Sequence, residues 1–99
     1  MKYRIEFHIN QDIISIHVTL PLSNTNRPYY SEHNSGPPPA PFADIFKIPG
    51  VVNVNRKNKY EMSITKGSAF EWDEIIEKAM DTVGLLLSPD VPPERGPDM

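Results

Sequence analysis

Residues 2–9 alternate strictly, with Tyr3, Ile5, Phe7 and Ile9 on one side and Lys2, Arg4, Glu6 and His8 on the other. That period predicts a half-buried strand. Residues 13–20 repeat it, with Ile14, Ile16, Val18 and Leu20 opposite Ser15, His17 and Thr19. The two apolar sets share a face only if paired residue numbers sum to an odd value. A two-residue loop at Asn10-Gln11 satisfies this, setting Phe7 against Ile14, Ile5 against Ile16 and His17 against Arg4. A slip of one residue would turn one apolar set into water.

The alternation stops between Pro21 and Pro41, a stretch of Ser, Asn, Thr, Gly and six prolines that reads as a long surface loop. Its end, Pro37-Pro38-Pro39-Ala40-Pro41, predicts an extended polyproline segment. A short helix over 42–48 follows, burying Phe42, Ile45 and Phe46 and ended by Pro49-Gly50. A second hairpin comes next. Val52 and Val54 face the same way as Tyr60, Met62 and Ile64 if the loop is Lys57-Asn58-Lys59. Ser68 to Glu71 has the spacing of a capping box. Behind it, Trp72, Ile75, Ile76, Ala79, Met80 and Val83 trace one helical stripe.

The predicted order is β-β-α-β-β-α, a single α+β domain over 1–87. It has a four-stranded sheet and two helices on one face. Residues 88–99, with four prolines and three acids, read as a mobile tail.

Composition narrows the chemistry. The chain has no cysteine, which excludes thiolate nucleophiles, Cys-ligated zinc and any iron–sulfur cluster held on this chain's own cysteines. A net charge of −3 argues against a broad nucleic-acid surface. No apolar run spans a bilayer, and the alternating start differs from a signal peptide, so the expectation is a cytoplasmic protein.

No pattern places a serine beside a base or builds a phosphate loop, so the chain reads as a non-enzyme without cofactor. With the two-residue turn, His8, His17 and Glu6 are polar strand residues and form no metal cluster. A four-residue turn would instead bring His17 opposite Glu6. Two features suit a protein partner. Tyr29, Tyr30, Pro38, Pro39 and Pro41 combine aromatics with a stiff extended segment. Arg56, Lys57 and Lys59 put three cations at a hairpin tip.

The run Phe42 to Val51, with its Ile48-Pro49-Gly50-Val51 turn, resembles the N-terminal domain of Nfu/NifU-like iron–sulfur scaffold proteins. Met62-Ser63-Ile64-Thr65-Lys66 and the helix start Glu71-Trp72-Asp73-Glu74 are similar to the same family in order and spacing. The likeness covers 42–83 and extends to the first hairpin in outline. The departures are the Ile9-Asn10-Gln11-Asp12 turn, which lacks the family's proline, the longer 21–41 loop, and the absence of the CxxC domain that binds the cluster. The resemblance therefore implies the fold and an adaptor-like module accessory to iron–sulfur protein assembly. Cluster transfer by this chain is not implied. A small regulator acting through its charged surface and a weak metal-binding accessory are the alternative readings.

Overall fold

The computed structural model describes residues 1–22, the backbone of 29–30, and residues 40–99. The elements are β1 (Lys2–Phe7), β2 (Ile13–Val18), β3 (Tyr29–Tyr30), α1 (Phe42–Phe46), β4 (Val51–Asn58), β5 (Glu61–Lys66), α2 (Trp72–Leu87) and β6 (Glu94–Arg95). They form one α+β domain around a mixed sheet in the order β3-β4-β5-β2-β1-β6. Among the described residues the sheet has six strands where the sequence predicts four, because a two-residue strand is added at each edge. All neighbours are antiparallel except β1 and β6, which run parallel.

One apolar layer joins sheet and helices. Ile5, Ile14, Ile16, Val54, Met62 and Ile64 are fully buried, and they meet Phe42 and Ile45 of α1. The predicted α2 stripe of Ile75, Ile76, Ala79, Met80 and Val83 completes the cluster.

The first hairpin pairs Phe7 with Ile14, Ile5 with Ile16 and Arg4 with His17, as the parity requires. Asn10 shapes its turn, its carbonyl accepting from the Ile13 amide and its side chain from the Asp12 amide. β1 ends at Phe7, so Ile9 does not continue the inward row and is fully exposed.

The second hairpin has the predicted even parity but not the predicted partners. Val54 faces Ile64 and Arg56 faces Met62, with register shifts at Val52 and Lys57 and a turn at Lys59-Tyr60. The turn at Lys59-Tyr60 and the extra residue at Lys57 change the partners, and each bulge turns its own residue out of the alternation. Val52, at the other bulge, and Tyr60, in the turn, are half-exposed, and Arg56, two residues from Val54 with no shift between them, shares its helix-bearing face.

Both helices differ from expectation at their ends. α1 stops at Phe46, which is 39% exposed. A turn then follows in which the Val51 amide donates to the Ile48 carbonyl, with Pro49 and Gly50 at its centre. Gly50 has φ +96°, the left-handed value that this turn demands at its third position. α2 begins at Trp72, three residues later than a cap at Ser68 predicts, and Glu71 caps it without a side-chain bond. Instead Gly67 and Phe70 close a turn, and the Phe70 ring lies against Gly50 and Gly67. α2 then runs through Gly84 to Leu87, and Pro93 packs where a Gly84 side chain would stand. Residues 88–99, for which the sequence predicts a tail, return along β1. The Glu94, Gly96 and Met99 amides donate to the Met1, Tyr3 and Ile5 carbonyls.

Candidate functional site

The strand periodicity that builds the core also builds its reverse. With both helices on one face, the alternate residues of β1, β2, β5 and β4 form the other. Its rows follow from register: Glu6, Ser15, Ser63 and Asn55 lie in line, and Arg4, His17 and Glu61 form the next row. Small residues make a valley between longer ones. Ser15 is 1% exposed and Ser63 is 5% exposed, both on the polar face. A depression of about 460 Å³ opens beside them, between His8, Asn53, Lys57 and Thr65.

Two histidines organise this face. His17 Nε2 lies 2.8 Å from Glu6 Oε1, and its Nδ1 lies 4.0 Å from Glu61 Oε1. His8 Nε2 lies 2.8 Å from Ser15 Oγ. Cross-strand geometry explains both short contacts. Directly opposite, His17 meets Arg4, in the predicted register, although the turn centres on Gln11-Asp12 and not on Asn10-Gln11. Glu6 is its diagonal neighbour, and long side chains bridge that separation. The expectation that this register disperses the histidine–carboxylate cluster is thus corrected. His17 and Glu6 meet across the diagonal, Glu61 replaces His8 as the third member, and His8 turns to Ser15.

The Ser15–His8 pair has the atoms of a nucleophile and base. Ser15 is almost wholly covered, however, and its hydroxyl is already engaged with the imidazole. Beside the face, a hollow of about 490 Å³ lies between β1, β2 and β6, with Arg4 donating from Nε to the Pro97 carbonyl at 2.9 Å. Tyr3 borders it. Burial pushes its phenol above the ordinary value, and Arg95 partly opposes the shift.

The residues singled out from sequence do not converge. Tyr29 and Tyr30 supply β3, paired by backbone to Arg56 and Asn55. Pro38 and Pro39 lie outside the described residues. Pro41 is buried, its carbonyl accepting the Asp44 and Ile45 amides at the start of α1. Arg56 is 6% exposed and sits over the Phe42 ring, with its guanidinium carbon 5.8 Å from the centroid. It is therefore no part of an exposed basic tip. Lys57 is exposed at the rim of the polar face, and Lys59 is half-buried in the turn.

Sequence reasoning missed Glu61. Its link to His17 depends on β2 lying beside β5, an adjacency that no local pattern states.

The fold and this face define a small α+β domain with a helix-covered apolar side and a polar side that neither α1 nor α2 covers. No protein-family model matches the chain, nor does any curated protein. Solved structures do match. The crystal structure of Staphylococcus aureus protein SAV1430 is similar with a TM-score of 0.66 and 19% identity, over 83% of this chain and 98% of that one. The solution structure of the same protein gives 0.65 and 20%, over 86% and 92%. SeR13 from Staphylococcus epidermidis gives 0.54 and 19%, over 79% and 88%. Identity at this level carries the fold alone.

Proposed function

We propose that this chain is a non-enzymatic protein-interaction module of the Nfu N-terminal-like type. On this reading it acts in the cytoplasm as an accessory to iron–sulfur protein assembly. Its partner docks on the sheet face that neither α1 nor α2 covers. One observation carries the proposal: a sheet face lined by His8, Asn53, Asn55, Ser63 and Thr65, which neither helix covers. Such a surface presents polar side chains on rigid strands, suited to a polar partner surface rather than an apolar peptide.

The residues behind the family resemblance support the fold part of this reading. Gly50 makes the tight turn, and Trp72 fastens the start of α2 to the first hairpin. They are joints of the scaffold, so the resemblance assigns them no chemistry. No described helix is long and apolar enough to cross a membrane.

Affinity capture with mass spectrometry tests the proposal. The tagged wild type should recover a reproducible partner. Thr65→Arg, which projects a long cation into the depression on this face, should lose it while keeping the native circular dichroism. Equal recovery by the variant, or no partner for the wild type, overturns the reading.

A further inference from the structure

We propose that Glu6, His17 and Glu61 form a binding site for a first-row divalent transition metal, with Zn²⁺ as the working probe. This goes beyond the docking role proposed above and does not depend on it. Three adjacent strands, β1, β2 and β5, each supply one donor side chain. One ligand atom from each lies within 4.8 Å of the other two.

The spacing suits a shared ion. Ligands about 2.1 Å from one metal stand about 3.0–3.4 Å apart in octahedral or tetrahedral geometry. His17 Nε2 and Glu6 Oε1, at 2.8 Å, need open only slightly to admit the ion. Glu61 approaches the other ring nitrogen, Nδ1, from the neighbouring strand, and its carboxylate swings towards Nε2 to share the ion.

The donors match the metal class. One imidazole with two carboxylates suits Zn²⁺, Fe²⁺ or Mn²⁺, whereas Ca²⁺ and Mg²⁺ prefer oxygen alone. All three side chains are half-buried. They are therefore positioned by the sheet while leaving room for water to complete the coordination. Arg4 stands directly across from His17, and its Nε is held by the Pro97 carbonyl. Two carboxylates against one tethered guanidinium leave the site attractive to a cation. His8 stands outside the set, bonded to Ser15.

Thermal unfolding and cobalt absorption spectra test the site. For a Kd of about 10 µM, 1 mM Zn²⁺ lies at a hundredfold excess and should raise Tm by about 10 °C. Co²⁺ should give visible absorption bands. His17→Ala and Glu61→Gln should abolish both responses, and His8→Ala should retain them. Glu61→Gln is nearly isosteric, so its urea midpoint without metal establishes that loss of binding is not loss of fold. A wild type without the Tm rise overturns the proposal. So does an equal response in His17→Ala or Glu61→Gln, or a response lost only in His8→Ala.

Discussion

The indole Nε1 of Trp72 donates a 2.7 Å hydrogen bond to the Gln11 carbonyl, fastening the first residue of α2 to the turn between β1 and β2. Beside it, Lys66 Nζ lies 5.6 Å from the Trp72 ring centroid and 2.9 Å from Asp12 Oδ1. One indole thus joins both hairpins to the helix. Its ring packs on the core while remaining partly exposed.

Trp72→Phe keeps most of the packing and removes the donor, so it should cost about 1 kcal/mol in urea unfolding. Trp72→Ala should cost more, yet less than the 3–5 kcal/mol of a fully buried aromatic, about 2–3 kcal/mol. Native fluorescence should be blue-shifted and move red on unfolding. A red-shifted native emission would show that the ring does not pack here.

Gly50 and Phe70 make the second test. A side chain at Gly50 would force a positive φ on an L-residue and place its Cβ 2.5 Å from the Phe70 ring. Backbone strain alone should make Gly50→Ala destabilising by about 1–3 kcal/mol. The collision adds to this. In a double-mutant cycle with Phe70→Ala, the pair should cost less than the sum of the single substitutions, since removing the ring relieves the collision and leaves only the strain. Additive costs would mean that the ring is not there.

Tyr3 gives a pH dependence. Desolvation raises its phenol, with Asp81, Asp98 and Glu77 adding to the shift and Arg95 opposing it. A raised acid favours the neutral form in the folded state. Its stabilising contribution is therefore complete below the unfolded value near pH 10 and is lost as pH rises towards the folded value. Absorbance at about 295 nm should show one tyrosine ionising later than an ordinary phenol. Tyr3→Phe should remove that late step. An unchanged titration in the variant would place the late step on another tyrosine.

The C-terminal strand makes a fourth expectation. The Glu94, Gly96 and Met99 amides are bonded along β1, so each should exchange hydrogen at least about tenfold more slowly than in an unstructured peptide. Truncation after residue 93 should expose the outer edge of β1 and lower the urea midpoint. Exchange at peptide rates would mean that residues 88–99 behave as a tail.

The legible parts of this fold were those set by local parity. The first hairpin and the α2 stripe follow from it, because one register alone buries Ile5, Ile14 and Ile16. The bulges at Val52 and Lys57 carry no local signal, and the turn at Lys59-Tyr60, in place of 57–59, draws Arg56 off the hairpin tip and into the strand on Val54's face. The capping box at Ser68 was overridden by a tertiary contact, Phe70 against Gly50 and Gly67. At the candidate site, the residue types and the face were readable in β1 and β2. The meeting of His17 with Glu61 was not, because it needs the strand order.

That order has a kinetic consequence. Each main hairpin closes over a short turn, but β2 and β5 join Ile13 to Thr65 and His17 to Glu61, enclosing almost everything between the hairpins. The entropy of closing that loop is lost before the seam returns any burial. The seam is then the slow step, and the hairpins are ready before it forms. Conservative truncations along it, such as Ile16→Val and Ile64→Val, should chiefly slow folding in stopped-flow measurements. Loss of β6 at the far edge should chiefly speed unfolding, so the middle of the sheet governs how fast the domain forms and its margin how long it lasts.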